Sequence, residues 1–439
     1  NGEEDLRRRR RLTPSARRPR AVIVVTGSEL VRGERPDLNG PFLARSLLAA
    51  GLEPARIEIV GDNAGELEAA LRDALASAEL VACSGGLGPT HDDRTVEIVA
   101  KVAGRELDVD EELAAQIEGV SRVVAERLRR PYADFADGVR KQATLPSGAV
   151  CLGLAGTAPG LVVDARGTPV IVLPGPPAEL QRLWPKALEV AAVRRVLDRG
   201  TPPLRRTLRF FGPGESQVAQ AFQAAGGDGD GLEVTICARD FEIHVDLVAE
   251  PAAEQRMGAL ETALGERLGR FLYSMDGRTV EELVLDGCRD RGFRMATAES
   301  CTGGLIAARL TAVPGATDVV VGGIVSYANE AKIEQLGVAP ELIDEHGAVS
   351  AQVAEAMARG ACERLGVDVA VSVTGIAGPG GGTEQKPVGL VYFHAETPDG
   401  GQGSQFSFPA DRDSIRRRSV VASLHLVRRL LEQNRDGPV

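Results

Sequence analysis

The run Thr297-Ala298-Glu299-Ser300-Cys301-Thr302-Gly303-Gly304 gathers hydroxyl, thiol and carboxylate groups into eight residues. A short apolar stretch (Phe293 to Ala296) precedes it, and an amphipathic helical pattern from Leu305 to Leu310 follows. A small nucleophilic side chain is therefore placed at a strand-to-helix turn. There the first helical amides lack partners and the peptide dipoles present their positive end. Such a turn can present a nucleophile and supply oxyanion donors in one unit. A plainer role fits the same residues: Ser300 or Thr302 as a helix N-cap, with glycines that allow a tight turn. Cys301 is the rival nucleophile, although a free cysteine is more often a small buried hydrophobe. Glu299 either bonds within the turn or orients a neighbour.

Three further stretches carry polar groups: Ser326-Tyr327-Ala328-Asn329-Glu330-Ala331-Lys332, the glycine-dense run from Thr374 to Thr383, and Arg412 to Arg416. The octapeptide and the first two of these fall at the C-terminal ends of strands, the edge where open parallel sheets bind ligands. The loop containing Thr374, Gly375 and Gly378 matches neither a Walker loop nor the dinucleotide fingerprint. Its glycines would let main-chain N–H groups approach phosphate or ribose. Arg417 and Arg418 read as a solvated face. No histidine lies near these motifs, so a histidine-based triad lacks its base.

Nearer the N-terminus, Ser84-Gly85-Gly86-Leu87-Gly88-Pro89-Thr90-His91-Asp92-Asp93-Arg94-Thr95 follows an apolar strand and precedes a helix. Gly85, Gly86 and Gly88 permit close approach to a phosphate, and Asp92 with Asp93 could hold a divalent metal. The alternative is an aspartate-capped helix start behind a tight loop.

The elements that position these groups alternate. Ala21 to Thr26 reads as a strand, Asn39 to Ala50 as a helix, Arg56 to Val60 as a strand, Ala64 to Ala78 as a helix and Leu80 to Cys83 as a buried strand. The pattern implies parallel βαβ units. It resumes at Pro169 to Leu173 and stops at Pro174-Gly175-Pro176-Pro177. Between residues 187 and 275 two alternating segments, Leu204 to Phe211 and Leu232 to Leu247, flank a helix, and a second helix follows (Ala252 to Leu268). A capping box, Thr279 to Glu282, opens a third domain. Its strands are expected at Phe293 to Ala298, Asp318 to Val325, Val367 to Thr374, Val388 to Ala395 and Gln402 to Phe408, with a helix over Ala351 to Leu365. The expected domains are thus 1–20 as a disordered basic arm, 21–186, 187–275 and 279–435.

With 439 residues the chain can bury two or three cores, and its scarcity of aromatics suits layers of short strands and Ala-rich helices. A net charge of −11 argues against a general nucleic-acid coat. Six dispersed cysteines and five dispersed histidines give no zinc-ligand spacing and point to a reducing cytoplasm. No apolar run reaches membrane-span length, and the start has no apolar centre of a signal peptide.

The octapeptide, the Tyr327 to Lys332 segment and Thr374 to Pro379 resemble the C-terminal domain of competence/damage-inducible protein A (CinA), over about Thr279 to Gln433. That domain is similar to nicotinamide-nucleotide amidases. The resemblance implies hydrolysis of nicotinamide mononucleotide to nicotinate mononucleotide and ammonia, with no cofactor. It also implies a serine nucleophile assisted by a lysine, here Ser300 and Lys332, with Tyr327 lining the pocket. Thr302, Gly303 and Gly304 would bind the oxyanion, and Arg412 and Arg416 the 5′-phosphate. A lysine whose pKa is lowered by burial can take the serine proton and later protonate the amine.

Glu29, Asp37, Asn39, the Ser84 to Thr95 run, Gly156 to Gly160 and Leu173 to Pro177 resemble the MoaB/MoeA-like, molybdopterin-binding-type domain of the same family. That resemblance brings a metal-dependent ADP-ribose pyrophosphatase reading, although glycine stands at Gly138 and Gly153 where the family has asparagine. The middle module resembles its KH-like domain. The expected fold class is therefore α/β: a three-layer MoaB-like domain, a KH-like α+β module and a C-terminal α/β amidase domain. A homodimer acting on a small nucleotide is expected, without membrane or nucleic-acid partners. The rival is a non-enzymatic molybdopterin-binding or DNA-uptake accessory protein.

Overall fold

The computed structural model describes residues 18–239 and 241–433. The chain forms two compact units, Asn1–Pro203 and Leu204–Val439.

In the first unit, β1 (Arg20–Thr26), α1 (Asn39–Ala49), β2 (Glu53–Val60), α2 (Ala64–Ser77), β3 (Leu80–Ser84) and α3 (Thr95–Ala103) alternate. A small ribbon of β4 (Leu107–Val109) and β5 (Thr144–Pro146) brackets α4 (Glu111–Leu128) and α5 (Ala133–Gln142). Then come β6 (Val150–Leu154), β7 (Pro159–Ala165), β8 (Thr168–Leu173), α6 (Pro177–Glu189) and α7 (Ala191–Leu197). The sheet runs β2-β1-β3-β8-β7-β6, its first four strands parallel. Along β1, Val22 and Val24 enter one apolar cluster with Ile98 and Ile117, while Ala21, Ile23 and Val25 enter the other with Leu43 and Leu180. Both faces are covered, which is why the strand reads as continuously apolar. Of the expected basic arm, residues 1–17 lie outside the described residues. Arg18 to Arg20 belong to the fold instead: Arg18 is buried against Glu53 (3.2 Å), and β1 begins at Arg20.

The second unit opens with β9 (Leu204–Phe211), α8 (Glu215–Ala224), β10 (Leu232–Arg239), β11 (Glu242–Ala249), α9 (Glu254–Leu268) and β12 (Leu272–Ser274). Its sheet is antiparallel, β10-β11-β9-β12, with both helices packed on one shared core. The run Leu232 to Leu247, expected as one segment, is a hairpin. Its turn has no glycine; Phe241 itself takes the left-handed conformation (φ 77°), so the usual signal is missing.

After α10 (Val280–Arg289), capped by Thr279 and Glu282 as expected, come β13 (Met295–Glu299), α11 (Leu305–Thr311) and β14 (Val320–Val325). Then follow α12 (Asn329–Leu336), α13 (Pro340–His346), α14 (Ala351–Leu365), β15 (Val369–Gly375), β16 (Leu390–Thr397), β17 (Gly400–Ser407) and α15 (Arg412–Gln433). The order is β14-β13-β15-β16-β17, the first three parallel and the last two antiparallel. Ala298 and Ala370 face a cluster with Val353 and Met357; Met295, Val369 and Val371 face the other, with Leu424 and Val427 of α15. The interior strand β13 is sealed on both sides, and its C-terminal end delivers Ser300.

Candidate active site

At the end of β13 the chain turns sharply. The Ser300 amide donates to the Val373 carbonyl of β15 (3.0 Å), and the Gly303 amide returns to the Ser300 carbonyl (3.1 Å). Gly303 and Gly304 take φ of 62° and 94°, values that a side chain would resist. The neighbouring strand β14 leads into α12, which carries Lys332. Lys332 Nζ lies 3.2 Å from Ser300 Oγ and donates to the carbonyls of Ser326 (2.8 Å) and Tyr327 (3.3 Å). Ser300 and Lys332 are both buried, Lys332 almost completely at 1% exposed.

Burial holds the Lys332 amine below the usual lysine pKa, against a smaller opposing effect from Cys301 and Glu330. An uncharged amine has two N–H donors and one lone pair. The two carbonyls take the donors, which leaves the lone pair for the Ser300 hydroxyl. This is the geometry of a general base.

The rival thiol is poorly placed. Cys301 belongs to the apolar cluster beneath the turn, and burial pushes its pKa to about 12. Its thiolate is therefore disfavoured near neutrality.

Glu299 is fully buried. Its Oε1 accepts from the Ala307 amide (2.9 Å) and the Thr297 hydroxyl (3.0 Å), and its Oε2 from the amides of Gly304 and Ile306 (3.0 Å each). The carboxylate thus closes the N-terminus of α11 from the preceding strand, which settles the choice between bonding in the turn and orienting a neighbour. It also corrects one expectation: the amides of Gly303 and Gly304 already have acceptors and are not open to an oxyanion. The Thr302 amide has no hydrogen-bond acceptor among the described residues, whereas the Cys301 amide bonds its own thiol sulfur.

Tyr327 is 61% exposed, and its hydroxyl accepts from Arg412 Nη2 (3.0 Å) while Arg412 Nη1 donates to the Gly378 carbonyl (2.6 Å). Arg416 makes different contacts: its Nε donates to the Cys301 carbonyl (3.2 Å) and its Nη2 to that of Thr302 (2.9 Å). Thr374 is buried and donates to the Ala348 carbonyl (2.7 Å), so its hydroxyl fixes a loop. Gly375 is required by close packing, since a Cβ there would lie 2.7 Å from Val391 Cγ2 and 2.9 Å from the Leu390 carbonyl. Gly378 (φ 77°) precedes a cis peptide to Pro379. Lys386, which the sequence did not single out, donates to the carbonyls of His346 (2.6 Å) and Val349 (2.7 Å) and ties down the glycine-dense loop. A lone lysine beyond a run of glycines carried no signal for that.

In the first unit several of the expected site residues line two cavities, and Gly85, Thr90 and Asp92 line neither. Glu29 and Asn39 line one of about 460 Å³, together with Asp37, Ser84 and Gly175. Gly86, Gly88 and Asp93 line another of about 260 Å³, with Lys141 and Gln142. Asn39 Nδ2 donates to Ser84 Oγ (2.9 Å) and the Gly175 carbonyl (2.7 Å), whereas its Oδ1 is buried without a partner. Gly85 (φ 103°) lies against the end of β1, where a Cβ would come within 2.4 Å of the Thr26 carbonyl.

The Thr90 hydroxyl bonds both Asp92 and Asp93, and the Thr90 amide donates to Asp93 (3.0 Å). These contacts close the loop on itself and do not cap a helix: α3 starts behind Arg94 with no side-chain capping bond, so the aspartate-capped start expected as the alternative does not form. Among the described residues no three histidine, cysteine or acidic side chains converge, so Asp92 and Asp93 have no third such ligand beside them for the expected metal. A Cβ at Gly138 would lie 2.4 Å from that of Pro89, so an asparagine there would collide with the same loop.

A three-layer α/β unit, an antiparallel α+β module and a five-stranded α/β domain bearing a buried serine–lysine pair define a three-domain architecture. Family models match in the same order: a probable molybdopterin binding domain over residues 22–194, the damage-inducible protein CinA KH domain over 205–274, and the CinA C-terminal domain over 277–431. A CinA-like protein of Mycobacterium marinum is 46% identical over 424 residues, covering 94% of this chain and 99% of that one. Another, from Mycobacterium leprae, is 45% identical and covers 95% and 99%. The chain belongs to the CinA family. Among solved structures, competence/damage inducible protein CihA from Agrobacterium tumefaciens is 42% identical over 35% of this chain and 96% of its own, with a TM-score of 0.34.

Proposed function

We propose that the C-terminal domain hydrolyses a carboxamide, with nicotinamide mononucleotide as substrate, Ser300 as nucleophile and Lys332 as base. The observation that supports it is the approach of a buried, pKa-lowered Lys332 amine to Ser300 Oγ at 3.2 Å. Lys332 takes the hydroxyl proton as Oγ attacks the amide carbon, and the carbonyl electron pair moves onto oxygen. Collapse expels the amine, which receives that proton and leaves as ammonia. Water, deprotonated by the same lysine, then cleaves the ester on Ser300, and the proton returns to Oγ. Tyr327 and Arg412, both exposed and bonded to each other, suit the ribose phosphate.

The full-length protein should release ammonia from nicotinamide mononucleotide without added metal, and Ser300→Ala or Lys332→Ala should abolish it. Wild-type turnover in Ser300→Ala would remove Ser300 as nucleophile.

For the first unit, the unpartnered buried Oδ1 of Asn39 favours a ligand with an N–H donor in the larger cavity, as a pterin provides. Pterin fluorescence titrated against the protein tests this. Equal binding by Asn39→Leu would dismiss that contact.

A further inference from the structure

Glu299 takes the Gly304, Ile306 and Ala307 amides at the helix end beside Ser300, so an oxyanion formed there needs other donors. Of the main-chain donors in the turn itself, the Thr302 amide remains. Thr302 is fully buried, and its amide has no hydrogen-bond acceptor among the described residues. A buried main-chain donor without a partner is rare in folded proteins, and one beside a nucleophile calls for an acceptor from outside.

What holds this amide in place is a side chain on α15. In a trans peptide the C=O and N–H point in opposite directions, so fixing one fixes the other. Arg416 Nε holds the Cys301 carbonyl at 3.2 Å, which sets the direction of the Thr302 N–H. Its Nη2 holds the Thr302 carbonyl at 2.9 Å, which sets the Gly303 N–H, and that amide does reach back to the Ser300 carbonyl at 3.1 Å. One planar guanidinium therefore locks two consecutive peptide planes of the nucleophile turn. An ammonium has no rigid fork with which to do this. Arg412, four residues earlier, is exposed and directs its donors to Tyr327 Oη and the Gly378 carbonyl.

We infer that Arg416 is a positioning residue that aims the Thr302 amide at the oxygen of the scissile carboxamide, and that it is not a phosphate ligand. The inference rests on the amidase reading above. It departs from the sequence expectation, which paired Arg412 and Arg416 with the phosphate.

The test compares full-length wild type, Arg416→Ala, Arg416→Lys and Arg412→Ala on nicotinamide mononucleotide and on its phosphate-free analogue, nicotinamide riboside. Arg416→Ala should lower kcat by on the order of a hundredfold, the scale of losing an oxyanion donor, with KM nearly unchanged. Arg416→Lys should not recover it, whereas guanidinium added to the alanine variant should recover part. The fold-loss should be the same on both substrates, while that of Arg412→Ala should appear mainly in KM and shrink on the riboside. Arg416→Ala that raises KM with kcat intact, or whose defect vanishes on the riboside, overturns the inference and restores the phosphate role. A wild-type protein that releases no ammonia from either compound is a different failure, since it removes the amidase reading itself and this inference with it.

Discussion

Replacing Glu299 by glutamine should cost the second unit a large part of its stability, although the two side chains have nearly the same shape. The carboxylate satisfies four donors, two on each oxygen: Ala307 N–H and Thr297 O–H on one, Gly304 N–H and Ile306 N–H on the other. In the better of its two orientations the glutamine oxygen keeps Gly304 and Ile306. The NH2 group then faces Thr297, whose hydroxyl can turn to accept, and the Ala307 amide is left unpaired. One orphaned buried amide costs about 1–3 kcal/mol, and two bonds reduced from charge-assisted to neutral lose roughly 1 kcal/mol each. The total is about 3–5 kcal/mol, against the 5–15 kcal/mol by which a folded domain is usually stable. For a unit of this size the melting transition should fall on the order of 10 °C. Scanning calorimetry of the full-length protein, with ammonia release measured alongside, reads both consequences. Turnover should fall as well, because the turn bearing Ser300 depends on the same amides. A Glu299→Gln protein that melts within about 2 °C of wild type and keeps its kcat would refute the argument that this carboxylate holds the turn.

Three more expectations follow from the same geometry. Burial favours the uncharged Lys332 amine, so kcat/KM should rise with pH through a pKa below the usual lysine range and fall away beneath it; a profile without that limb would mean the amine is not the base. Cys301→Ala should keep turnover within a few-fold, and iodoacetamide at pH 8 should label Cys301 slowly, since its pKa is about 12; inactivation by rapid alkylation at Cys301 would contradict this. His425 of α15 is fully buried, with Nε2 2.6 Å from Glu242 Oε1 and Nδ1 accepting from Arg428 Nε at 3.3 Å. Burial holds His425 below the ordinary histidine value of 6.5, while the hydrogen bonds from His244 and His425 outweigh burial and hold Glu242 low. Groups with lowered folded pKa lose their stabilisation as pH falls, so the second unit should melt progressively lower below about pH 6.5. A melting point that does not move between pH 7 and 5 would count against that pairing.

Local chemistry made several elements legible. Ala351–Leu365 forms as expected because Ser350 caps it and Gly366 ends it in the left-handed conformation. Leu204–Phe211 reads as a strand because Thr207 to Phe210 alternate in burial and the run is rich in strand-forming residues. The hairpin at Phe241 was hidden because a phenylalanine occupies the position where glycine is the usual marker. In the candidate site, Ser300 and Lys332 lie 32 residues apart, and only the folded sheet edge brings β13 and α12 together. No spacing rule encodes that approach, so it was reached through resemblance. Glu299 was ambiguous because its partners are main-chain amides that exist as a set only once α11 forms. Arg412 and Arg416 sit one turn apart on one helix, and nothing in residue type says which reaches the turn carbonyls. Glu29 and Asn39 likewise looked like one locus with Gly86, Gly88 and Asp93, but packing places the two sets in different cavities.

Helix α15 has a consequence for how the molecule can be altered. It is 22 residues long, so it extends about 33 Å, and His425 stands nine residues, about 13 Å, along from Arg416. At one point this rod grips the peptide planes beside Ser300. At the other its imidazole is stacked on Phe211 (3.9 Å between ring centres) and bonded to Glu242, both from the antiparallel module. Helices resist stretching along their axis, so a mutation or small molecule that shifts the module at Glu242 pulls on the same beam that steadies the corner bearing Ser300. Removing the module would take away that anchorage while leaving every residue of the corner in the chain.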